Sequence, residues 1–114
     1  MKARKLGWLV FLAVLSGCGD GVGPTSSVVG GPCVGPSDCA SSSRCLLDGD
    51  FPGGMCAVSC AGDAGCPEGS ACVSSKGGVC LPMCMYSDEC RPGYLCKGKG
   101  RVGLPGEVLV CIND

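Results

Sequence analysis

The sequence contains no histidine, and beyond residue 17 it holds just three aromatic side chains, Phe51, Tyr86 and Tyr94. Without histidine, the usual general base near neutral pH is missing, which weighs against an enzyme. Three aromatics and scattered Val, Leu and Met can bury little apolar surface, and a small domain in that position needs cross-links or a metal. Metal is disfavoured in turn. There is no C-x2-C and no C-x-C, the close spacings on which zinc sites are built. Excess positive charge is also lacking. The whole chain carries −1, and without Lys2, Arg4 and Lys5 six basic residues face ten acidic ones, a net −4. That excludes the basic footprint of a nucleic-acid binder. Finally, no apolar run reaches the ~20 residues that span a bilayer.

What the sequence has in abundance is cysteine, 13 of 114 residues, and glycine, 21. Such cysteine content in a short chain marks a secreted disulfide scaffold.

The first residues read as a leader. Met1-Lys2-Ala3-Arg4-Lys5 is a positive n-region, Leu6 to Leu15 is apolar throughout, and small Ser16 and Gly17 follow. This is the order of a cleaved signal peptide, here residues 1–17. Leu15-Ser16-Gly17-Cys18 resembles the bacterial lipobox, a leucine and two small residues before a cysteine. The resemblance implies a diacylglycerol on the Cys18 thiol, cleavage before Cys18 and acylation of the new amino group. Parity agrees, because thirteen is odd and removing Cys18 leaves an even set. The alternative is an ordinary signal peptide with Cys18 as a stray thiol. Gly19, where an inner-membrane lipoprotein of enteric bacteria carries aspartate, implies the outer membrane. The partner so implied is the membrane itself, through the lipid. Residues 18–31, rich in Gly and Ser, read as a flexible tether with a reach on the order of 20 Å.

From Cys33 the spacing C-x5-C-x5-C-xn-C occurs three times, with n of 10, 7 and 14. The units are Cys33, Cys39, Cys45, Cys56; Cys60, Cys66, Cys72, Cys80; and Cys84, Cys90, Cys96, Cys111. They form three tandem repeats, at 33–56, 60–80 and 84–111, within a cysteine-rich domain at 32–114. Asp38 and Glu89 precede the second cysteines of units one and three. Pro67-Glu68-Gly69 and Arg91-Pro92-Gly93 read as turns. The third-to-fourth cysteine segments read as short β-hairpins, with Gly77-Gly78 and Pro52-Gly53-Gly54 at their bends. The expected class is therefore a small disulfide-rich fold, with short hairpins and no helix after the leader. The pattern resembles cysteine-rich repeats of secreted and lipid-anchored myxobacterial proteins and, more distantly, animal disulfide modules of the Dickkopf type. Neither resemblance brings a catalytic residue, a cofactor or a metal.

Spacing does not decide the pairing, since each unit of four cysteines allows three arrangements. First to third with second to fourth is the preferred one. Other candidates have bland readings beside sharp ones. Lys97-Gly98-Lys99-Gly100-Arg101 is either a contact for anionic surface groups or, preferably, a mobile hairpin tip. Asp48-Gly49-Asp50 reads as a solvated turn. Met55, Met83, Met85 and Tyr86 could form a contact patch, although filling gaps between bridges is the preferred role. The expected function is a non-enzymatic interaction or structural module, with a protein or surface-glycan partner. The alternatives are a protease inhibitor or toxin-like factor, presenting a loop at Leu46–Met55 or Lys97–Val110, and metal sequestration by free thiols.

Overall fold

Each repeat begins with a tight turn in the five residues between its first two cysteines. In the computed structural model, which describes residues 21–114, these turns are short 3-10 helices at Pro36–Asp38, Asp63–Gly65 and Ser87–Glu89. The signal peptide, Cys18, Gly19 and Asp20 lie outside the described residues. The N–H of each second cysteine closes its turn onto Pro36 O, Asp63 O or Ser87 O at 3.0–3.1 Å. A second turn follows at once, closed by Ser43 N to Ala40 O, Ser70 N to Pro67 O and Tyr94 N to Arg91 O. In units two and three its third residue has φ of 95° (Gly69) and 91° (Gly93), the left-handed region that glycine enters freely. Unit one has Ser42 there and turns without a positive φ.

The chain then runs into an antiparallel hairpin. Unit one pairs β1 (Arg44–Leu46) with β2 (Met55–Ser59). Unit two pairs β3 (Ser70–Val73) with β4 (Val79–Pro82). Unit three pairs β5 (Leu95–Gly100) with β6 (Glu107–Ile112). Register sets the third and fourth cysteines opposite one another every time: Cys45 with Cys56, Cys72 with Cys80, Cys96 with Cys111. Directly opposed residues project to one face of a hairpin. Two sulfurs therefore stand side by side, and the segment holding the first two cysteines crosses that face and bonds to both. The six bridges are Cys33–Cys45, Cys39–Cys56, Cys60–Cys72, Cys66–Cys80, Cys84–Cys96 and Cys90–Cys111. First pairs with third and second with fourth in every unit, with Cα atoms 5.5–6.0 Å apart.

The units join through backbone. Strands β2 and β4 pair, giving a four-stranded sheet in the order β1-β2-β4-β3, beside the separate two-stranded sheet of β5 and β6. Ser74 N to Gly100 O and Val102 N to Cys72 O tie the third hairpin to the second, and Cys84 N to Leu109 O returns the linker. No described helix is long and apolar enough to cross a membrane.

Two expectations need correction. The chain has more core than its aromatics suggest. Phe51, Met55, Leu81 and Ile112 are fully buried with Val73, Val79 and Val110, and Tyr94 packs into the same cluster. All three units contribute to this one cluster, so no unit has to bury apolar surface alone. Each such side chain contributes roughly 1.5–3 kcal/mol, and each bridge about 3 kcal/mol by limiting the unfolded chain. The second correction concerns the flexible tether expected over 18–31. Its described part, 21–31, is folded onto the domain. Val29, Gly30 and Gly31 are buried. Gly30 N donates to Cys56 O (2.8 Å), Cys56 N to Gly31 O (2.9 Å) and Ala40 N to Ser27 O (2.8 Å). Small side chains here allow backbone to approach backbone; a β-carbon on Gly30 or Gly31 would overlap the carbonyls of Gly23 or Ser26. Residues 21–31 are therefore part of the folded domain, ahead of the boundary expected at 32.

Candidate functional site

The repeat acids act locally. Asp38 Oδ2 accepts from the Val34 N–H and Glu89 Oε1 from the Met85 N–H, both at 2.8 Å. Each carboxylate thus satisfies the amide just after its unit's first cysteine. Unit two has Gly65 at that place, and the first residue of its turn serves a different amide. Asp63 Oδ1 accepts from the Cys72 N–H at 3.0 Å, the job that Ser87 Oγ does for Cys96 N in unit three. The Cys72 amide, followed by the Arg101 guanidinium, holds the Asp63 carboxyl below the usual carboxylate range.

The basic run is not a mobile tip. Lys97, Lys99 and Gly100 lie in β5, and their charges are matched at long sequence range. Lys97 and Lys99 both pair with Asp114, and Arg101 pairs with Asp63. The Lys99 ammonium holds Asp114 below its ordinary range, and Asp114 raises Lys99. Positive charge neutralised by carboxylates is a poor docking surface for phosphate groups. Asp48 pairs with Lys76, and Asp48 Oδ1 accepts from the Asp50 N–H at 3.1 Å, so this loop is a closed turn.

The loop Leu46–Met55 also folds inward. Leu46, Phe51 and Met55 are buried, which removes Met55 from the contact patch and leaves Leu47 exposed. In the longer hairpin the exposed tip is Gly103–Gly106, carrying Leu104.

One residue that the sequence did not single out organises the centre. Arg91 Nη1 donates to Gly30 O (3.0 Å) and Gly54 O (2.7 Å), and Nη2 donates to Pro52 O (3.2 Å). Its guanidinium lies 4.8 Å from the centre of the Tyr94 ring, and Tyr94 OH donates to Pro52 O at 2.9 Å. Burial pushes the Tyr94 phenol up. Arg91 thus ties the third unit to the first and to residues 21–31.

Beside Arg91 is a groove of about 300 Å³. Val22, Pro24, Met55, Pro82 and Met83 form its apolar walls, and Glu68 and Glu89 its acidic rim. Met83 is shared with a shallower groove lined by Met85, Val108 and Leu109 and flanked by Glu89 and Glu107. Met83, Met85 and Leu109 expose 47%, 69% and 46% of their surface, and nearby Tyr86 exposes 66%. The cysteine sulfurs also cluster in threes, Cys33 with Cys39 and Cys56, Cys60 with Cys66 and Cys72, and Cys84 with Cys90 and Cys111, each set lying within 4.8 Å of one another. All belong to bridges, and a disulfide offers no thiolate to a metal. No protein-family model, curated protein or solved structure matches the chain.

Proposed function

We propose that this chain is an exported lipoprotein, held at a bacterial membrane by an acylated Cys18, whose disulfide-stapled domain is a non-enzymatic interaction or structural module. Cysteine accounting carries the reading. Twelve cysteines pair off in six bonds, and Cys18 is the thirteenth, placed directly after the apolar run and the small residues Ser16 and Gly17. An oxidising compartment accounts for the bonds, and acylation accounts for the sulfur left over. Gly19 favours the outer membrane. The reading has no catalytic part, because the chain holds no histidine and a bonded sulfur is no nucleophile.

Fractionation of a bacterium expressing the chain tests it. The wild type is expected in the membrane fraction and in the detergent phase of a phase partition. Wild type is expected to incorporate labelled fatty acid and Cys18→Ser to incorporate none, since the thiol is the site of attachment. A wild-type protein that stays in the aqueous phase, or a variant labelled like it, would refute the reading.

A further inference from the structure

We infer that the Met83–Met85–Leu109 strip, together with the groove behind Val22, is the face on which the domain lies against the bilayer. The inference rests on the anchoring proposed for Cys18 and goes further by assigning an orientation. Because residues 21–31 are folded onto the domain, the free length of chain between lipid and protein is short. Cys18 precedes Val22 by four residues, so their Cα atoms are at most ~15 Å apart with 3.8 Å per step. Val22 lines the same groove as Met83, and Met83 lines the next groove with Met85 and Leu109. The acylated end therefore lies within ~15 Å of Val22, whose groove leads through Met83 to the exposed apolar strip.

The chemistry of that side suits an interface. Three half- to mostly exposed apolar side chains lie there, and Tyr86, next to Met85 in the chain, is an exposed tyrosine, a residue that favours the boundary between headgroups and chains. A contiguous exposed apolar strip marks an interaction surface, and here the anchor determines which surface comes to it first. The charges specify the lipid. Glu68, Glu89 and Glu107 line the grooves, and Arg91, the cation lining the first of them, is spent on the carbonyls of Gly30, Gly54 and Pro52. Such a face has no use for anionic headgroups, so the partner is a zwitterionic bilayer surface.

The mature chain holds no tryptophan, since Trp8 lies in the leader, and this permits single reporters. Met85→Trp, Leu109→Trp and Val34→Trp are prepared as acylated protein in phosphatidylcholine vesicles with brominated acyl chains. Val34 is 86% exposed and lines neither groove. The proposal expects Met85→Trp and Leu109→Trp to lose about half or more of their emission, as for side chains buried ~5–10 Å into the interface. Val34→Trp should lose almost none, and added anionic lipid should not deepen the quenching. Unquenched Met85→Trp and Leu109→Trp, or a Val34→Trp quenched as strongly, overturns the orientation. Intact mass on the same samples separates the two levels. Acyl chains on Cys18 with unquenched reporters defeat only the orientation, whereas a chain without them defeats the anchoring as well.

Discussion

Replacing Arg91 with methionine keeps the aliphatic stem and removes the guanidinium. Three backbone carbonyls then lose a charged donor: Gly30 O, Gly54 O and Pro52 O, now met at 2.7–3.2 Å. Hydrogen bonds to charged groups contribute about 1.5–3 kcal/mol where buried. Arg91 is only half-buried, so water replaces part of the loss and about 1 kcal/mol per bond is the better figure. The contact with Tyr94 adds ~0.5–1 kcal/mol. The sum is roughly 4 kcal/mol, which for a domain of this size lowers the melting temperature by roughly 20 °C. The assay is thermal unfolding of the oxidised protein at neutral pH, followed by circular dichroism. Arg91→Lys can serve one carbonyl at a time and should recover less than half of the loss. A methionine variant within ~0.5 kcal/mol of wild type would show that the units are held by their bridges and core alone.

Two further predictions concern the same framework. Gly54 has φ of +76°, and a β-carbon there would overlap the Cys33 carbonyl oxygen, whereas Gly103 at +79° faces open space. Gly54→Ala should therefore cost about 3 kcal/mol or more in unfolding experiments, against ~1 kcal/mol for Gly103→Ala, and equal costs would contradict the close approach at Gly54. The second prediction is a pH dependence. The Asp63 carboxyl is lowered by the Cys72 amide and by Arg101. Its contribution is present above the ordinary carboxylate pKa and is lost as pH falls through the lower folded value. Asp63→Asn should flatten that acid limb of the stability curve and leave the variant's deficit largest at neutral pH; a deficit that does not change with pH would contradict the assignment.

The cysteine frame was legible because it is a spacing that recurs three times. The hairpins followed from Gly-Gly and Pro-Gly bends between short apolar stretches, and Gly69 and Gly93 announced their turns. Three features were not legible, each for a physical reason. Residues 21–31 look like a linker because their packing is done by backbone amides rather than side chains; the paired Gly30-Gly31 was the available signal. The basic run looked mobile because its partners are far away in sequence, with Asp63 38 residues from Arg101 and Asp114 15 residues from Lys99. Arg91 stood in a turn like any surface arginine, and its acceptors are carbonyls 37–61 residues earlier, which no side-chain pattern records. The core is larger than the aromatic count suggests because Leu46, Leu81 and Ile112, from three different hairpins, join one cluster.

The account turns on where thirteen sulfurs go. Proteolysis of the exported protein without reduction, followed by mass spectrometry of the fragments, tests this directly. The prediction is six linked peptide pairs, Cys33–Cys45, Cys39–Cys56, Cys60–Cys72, Cys66–Cys80, Cys84–Cys96 and Cys90–Cys111, and an amino-terminal Cys18 peptide carrying acyl chains. Free thiols among the twelve, links between first and second or third and fourth cysteines, or a Cys18 joined to another cysteine would contradict it.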